Sequence, residues 1–85
     1  MTKTIYSDAQ SALCEAITAA RKNAGLSQMK LAEELHCHQS MIARVESGQR
    51  RIDVIELIII ARAIGVDPQE IIDSIRGEVP EGQGL

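Results

Sequence analysis

Gln39, Ser40, Arg44 and Ser47 recur at spacings of one, four and three within a chain of 85 residues. On a helix turning about 100° per residue they share an arc with Ala43. Ile42 and Val45 point to the other side. The arc is polar, and Arg44 is its only charge. Amide and guanidinium groups are planar forks that form paired hydrogen bonds with flat donor–acceptor edges. Gln suits the edge of adenine and Arg that of guanine, while a small residue such as Ala43 can approach a thymine methyl. The competing reading is a solvated helix face, which usually carries more charge than this.

Two further groups could bind anions. Gln28 stands at the start of a predicted helix, where free N–H groups and the helix dipole favour a phosphate. From there it is also placed to brace Gln39. Ser47, Gln49, Arg50 and Arg51 surround Gly48, and small polar residues beside two cations suit phosphate contact. His36-Cys37-His38 resembles a metal cluster at first sight. Adjacent residues converge poorly on one tetrahedral ion, and Cys14 is the only other cysteine, so no metal site is expected. Cys37 then fills an apolar slot. His38 stands at an N-cap, where Ser, Thr or Asp is usual, which weakens the cap; the alternative reading puts its imidazole near a phosphate. No Gly-rich phosphate loop or nucleophile–base pair is visible, so the reading is not an enzyme, and no cofactor is implied.

These residues need short helices to position them. Apolar residues recur at three and four, and no Asn-Gly or Asp-Gly hairpin turn is present. A first helix is expected over about 8–23, capped by Ser7 or Asp8, with Ala9, Ala12, Leu13, Ala16, Ile17 and Ala20 inward. Ser27 caps a second over 28–35. His36 then takes the left-handed position that glycine usually occupies. A third spans 39–47 and stops at Gly48. Asp53 and Glu56 form a capping box for a fourth over 54–64. Asp67-Pro68 opens a fifth over 68–76. Residues 1–77 thus read as one all-α domain, and 78–85, with Pro80, Gly82 and Gly84, as a mobile tail.

Composition narrows the possibilities. The chain is 45% apolar and 25% charged, with one tyrosine and no Phe or Trp. It is too short for a second core, and it lacks the aromatic platforms on which single-stranded nucleic acids stack. Its net charge of −3 argues against general polyanion binding but hides a division. Residues 1–52 hold seven Lys and Arg against five Asp and Glu, a net +2, and residues 53–85 hold two against seven, a net −5. The longest apolar run, Leu57–Ala61, is far short of the roughly 20 residues that span a bilayer. Residues 1–10 show no apolar secretion signal. The expectation is a cytoplasmic protein with two reduced thiols and no membrane partner.

The string Gly25-Leu26-Ser27-Gln28, Leu31-Ala32, Gln39-Ser40-x-Ile42, Glu46-Ser47-Gly48-x-Arg50 resembles the Cro/cI repressor-type (XRE) helix-turn-helix family. The likeness runs without a gap from Arg21 to Asp53, Leu57, Ala61 and Ile64-Gly65. It implies a five-helix, lambda-repressor-like DNA-binding domain whose helices two and three form the helix-turn-helix. By this resemblance Gln39, Ser40 and Arg44 fall on base-reading positions and Gln28 on a phosphate-binding one. Arg21 and Glu46 fall on positions that commonly form a salt bridge, with direct phosphate contact by Arg21 as the alternative. The implied partner is double-stranded DNA, and the implied function is transcriptional regulation, most simply repression. The loop departs from the family in carrying Ile52 where proline is common.

The predicted fourth helix has more apolar residues than one face can hold. Val54, Leu57, Ile58, Ile60, Ala61 and Ile64 cover a wide inward arc. Ile55 and Ile59 fall outside it, four apart. Such a ridge usually marks an interface. With Ile72 and Ile75 it predicts a homodimer. The alternatives are burial under Thr4-Ile5-Tyr6, or a grip on another protein, as in a toxin-binding antitoxin or a restriction–modification controller protein.

Overall fold

The computed structural model describes residues 5–85, with side chains from Asp8 onward. Five α-helices follow in order: α1 (Ile5–Asn23), α2 (Gln28–Glu34), α3 (Gln39–Ser47), α4 (Val54–Ile64) and α5 (Pro68–Ile75). A single 3-10 turn, Arg76–Glu78, follows α5, and residues 76–85 are exposed. There is no strand among the described residues.

Local sequence chemistry sets the helix ends. Ser27 accepts a hydrogen bond from the Lys30 N–H. Asp53 and Glu56 make both bonds of the capping box at α4, and Asp67 accepts from Gln69 N–H with Pro68 behind it at the start of α5. Each such cap satisfies a donor that the helix cannot. His38 precedes α3 but makes no capping bond with its side chain. α1 begins at Ile5, earlier than the expected caps, so Ser7 and Asp8 lie inside its first turn. There the Asp8 charge still complements the helix dipole.

α2 and α3 are joined by a tight turn. Cys37 N–H donates to Ala32 O at 3.0 Å and His36 N–H to Glu33 O at 3.2 Å. This pair of bonds closes a helix only when the residue between takes a left-handed conformation, and His36 does so at φ 55.

The core is one cluster. Ile17 of α1, Leu31 and Ala32 of α2, Ile42 and Val45 of α3, and Leu57, Ile60, Ala61 and Ile64 of α4 meet Ile71 of α5. Burying side chains such as Ile17 and Leu31 completely contributes about 1.5–3 kcal/mol each. α1 packs on α3, α4 and α5, while α2 packs on α3 and α4. The polar face of α3 is thereby left outward.

Val54 is not part of the inward arc. It is the first residue of α4 and is 65% exposed, because the buried stripe begins one turn later at Leu57. Ile58 is half-buried. Ile55 and Ile59 remain exposed, at 64% and 49%. Ile72 and Ile75 are half-buried, and Ile72 packs against the core from α5. Burial of the ridge under Thr4-Ile5-Tyr6 lies outside the described side chains.

Candidate nucleic-acid interface

α3 is anchored by its apolar side, with Ile42 and Val45 buried. Its other side presents Gln39, Ser40, Arg44 and Ser47, all exposed, with Ala43 half-buried among them. The Arg44 guanidinium has no partner among the described residues. Ser47 Oγ donates to Arg44 O at 3.2 Å and tightens the last turn.

Behind this face runs a ladder of polar side chains. Arg21 of α1 donates twice to Glu46 of α3, from Nε to Oε2 at 2.6 Å and from Nη2 to Oε1 at 2.9 Å. Its Nη1 donates to Leu26 O at 2.8 Å. Gln28 Nε2 donates to Glu46 Oε1 at 3.0 Å, and Gln39 Nε2 donates to Gln28 Oε1 at 2.6 Å. The pair at its base is almost wholly buried, with side-chain exposures of 8% and 6%. Burial acts to raise the Glu46 carboxyl, but hydrogen bonds from Arg21 and Gln28 and the attraction of Arg21 outweigh it. The net effect holds Glu46 below the ordinary carboxylate range. The hydrogen bond to Glu46 likewise raises Arg21. The salt bridge therefore locks α1 to α3, and Gln28 braces Gln39.

The loop after α3 turns at Gly48, whose φ of 86 favours a residue without a side chain. A Cβ there would lie 3.8 Å from Cys14 Sγ of α1, ordinary van der Waals contact, so the conformation selects glycine and not the space. Ser47, Gln49 and Arg51 are exposed around this turn. Arg50 is half-buried and engaged: Nη2 donates to Glu56 Oε2 at 2.7 Å, and Nη1 to Glu56 Oε1 at 3.2 Å and Arg51 O at 2.9 Å. The hydrogen bonds between them raise Arg50 and lower Glu56. Glu56 thus ties the loop to α4 as well as closing the capping box, a role its sequence position suggested only in half. The Arg-x5-Glu spacing was the available signal.

The turn residues His36, Cys37 and His38 make no metal cluster: among the described residues no group of three His, Cys, Asp or Glu could hold an ion. Cys14 and Cys37 are both free thiols, and burial raises Cys14 above its usual range.

The family model for helix-turn-helix domains matches residues 17–71. The chain belongs to the XRE-type helix-turn-helix family. A solved structure described as an XRE-family like protein from Pseudomonas syringae pv. tomato str. DC3000 is 34% identical. It superposes with a TM-score of 0.81 over 89% of this chain and 93% of that one. No curated protein sequence matches the chain. In this helix-turn-helix protein, α2 and α3 are the two helices of the motif, and α3 occupies the recognition position. Membership makes it a DNA-binding regulator in general terms. No helix among the described residues is long and apolar enough to cross a membrane.

Proposed function

We propose that the protein is a sequence-specific binder of double-stranded DNA that represses transcription as a homodimer on a pseudo-palindromic operator. The observation that carries this reading is the exposed polar face of α3, anchored behind by the Arg21–Glu46 pair. Gln39, Ser40, Ala43 and Arg44 read base edges in the major groove. Gln28, Ser47, Gln49, Arg50 and Arg51 hold phosphates and fix the register. Gln28 Nε2 has a second N–H beyond the one given to Glu46, and Arg50 keeps N–H groups beyond those given to Glu56 and Arg51.

One recognition helix covers only a few base pairs. Two, about 34 Å apart, reach successive major grooves on one side of the duplex. Val54, Ile55 and Ile59 supply exposed apolar surface for such a dimer, with Ile72 and Ile75 at its margin. The basic first half would face DNA and the acidic second half would face away, which orients the approach.

A second reading keeps DNA binding but couples it to another protein, as in an antitoxin or a restriction–modification controller. It is favoured by an apolar groove of about 210 Å³ beside the ridge, lined by Leu35, Cys37, Met41, Ile52 and Ile59. Selection of bound sequences from a random duplex pool tests the main reading. A symmetric consensus with half-sites one helical turn apart supports it. No enrichment by the protein alone, with enrichment restored by a copurifying partner, favours the second.

A further inference from the structure

The Arg50 guanidinium has more than one edge, and Glu56 fills only one of them. Resting on the reading that Arg50 holds a phosphate, we propose that Glu56 is the positioning residue for that contact: its carboxylate fixes the guanidinium end-on and leaves the side edge as a formed fork for two oxygens of a phosphate.

The argument follows from which donors are used. A guanidinium is planar and carries five N–H groups. Nη1 donates to Glu56 Oε1 at 3.2 Å and to Arg51 O at 2.9 Å, which engages both of its hydrogens. Nη2 donates once, to Glu56 Oε2 at 2.7 Å. Nε–H and the second N–H of Nη2 make no hydrogen bond with the described residues. Those two N–H groups lie parallel along one edge, the spacing that matches two oxygens of a phosphate. Carboxylate and phosphate therefore do not compete for the same donors.

Glu56 is itself held in place. Its Oε1 accepts from Asp53 N–H at 3.0 Å in the capping box, so it cannot swing freely with the arginine. Arg50 is tied at its backbone too, where its N–H donates to Arg44 O at 3.1 Å in the last turn of α3. The fork is thus set against α3 before DNA arrives, and a long side chain has less freedom to lose on binding. The Arg50 side chain is still 36% exposed, so the pair is not sealed from an anion.

Charge alone predicts the opposite sign, since a carboxylate beside the phosphates repels them. The test is equilibrium binding of the full chain to its selected operator and to random duplex. Glu56→Gln keeps a side chain that can close the capping box but loses the two-oxygen fork on Arg50. It should weaken binding to both duplexes equally, by about two- to fivefold, the scale of an exposed ion pair. Added to Arg50→Ala, it should weaken binding no further. Arg50→Lys keeps the charge without the separate edges and should bind as weakly as Glu56→Gln. It decides the matter if Glu56→Gln loses its helical circular dichroism. Binding by the folded Glu56→Gln protein that equals or exceeds the parent's overturns the proposal. So does an equal loss from Glu56→Gln in the Arg50→Ala background, which would place its effect elsewhere in the loop. If Arg50→Ala leaves the salt slope unchanged, the phosphate contact of Arg50 is itself wrong, and Glu56 has nothing to position.

Discussion

Arg21 and Glu46 lie 25 residues apart and share two hydrogen bonds, the shorter at 2.6 Å, inside the seam between α1 and α3. Removing one partner from such a pair leaves an uncompensated buried charge, which costs about 3–5 kcal/mol. Glu46→Ala should therefore lose about that much stability in urea unfolding. Replacing both residues by apolar ones of similar size should cost less than the single change. A loss under about 1 kcal/mol for Glu46→Ala would show that the pair is far better hydrated than its burial implies.

The same pair gives a pH dependence of stability. Glu46 has a lowered carboxyl pKa in the folded protein, so the unfolded chain takes up its proton more readily. The stability this contributes is complete above the ordinary carboxylate value and is lost as pH falls through the lowered one. Thermal unfolding followed from pH 6 downward should show a steeper acid loss in the parent protein than in Glu46→Gln. Parallel curves would remove Glu46 from the account.

His36 holds a left-handed conformation that costs a residue with a side chain about 1–2 kcal/mol. It is exposed, and no hydrogen bond of its imidazole is among those that shape the turn. His36→Gly should thus raise the melting temperature, by an amount set by the relief of strain less the added freedom of the unfolded chain. A lowered melting temperature would mean that the imidazole makes a contact worth more than the strain.

Arg44 and Arg50 should fail in different ways. Arg44→Ala should weaken binding to the selected operator by about 1–3 kcal/mol and relax one base position. Arg50→Ala should weaken binding to all sequences and reduce the salt slope by about one. Equal losses by Arg44→Ala on operator and random DNA would contradict base reading there. An unchanged slope in Arg50→Ala would confine that residue to its bond with Glu56.

Ile59→Asp places a charge in the middle of the exposed ridge. Light scattering at micromolar concentration should show the mass halving from dimer to monomer while the helical signal is kept. The same mass in both proteins would mean that the ridge is not the contact between copies.

Much of this arrangement was legible because short-range rules governed it. The serine and aspartate caps, Gly48 and the apolar spacing in α3 and α4 each act within a turn or two, where sequence spacing and spatial distance nearly coincide. The placing of Gln39 and Arg44 on one exposed face of α3 was readable for the same reason. The start of α1 was not, since Ser7 and Asp8 favour a first turn nearly as well as a cap. Val54 fits the inward period of α4 but sits at its end, and periodicity does not say where a core stops. The bond from Gln28 to Glu46 and that from Arg50 to Glu56 depend on how a loop folds back, which spacing along one helix does not encode.

The turn at His36 also sets a phase. It is closed by two backbone bonds to α2, so α3 starts at a fixed angle about its own axis. One residue inserted between Cys37 and Gln39 would have to be absorbed by the turn or be passed to α3 as a rotation of about 100°. Ile42 and Val45 would then leave the core, or the core would hold them and the strain would fall on the turn. If α3 reads bases as proposed, the length of this turn belongs to the reading surface as much as any side chain on it, and new sequence preferences would be reached by substitution on α3 rather than by insertion ahead of it.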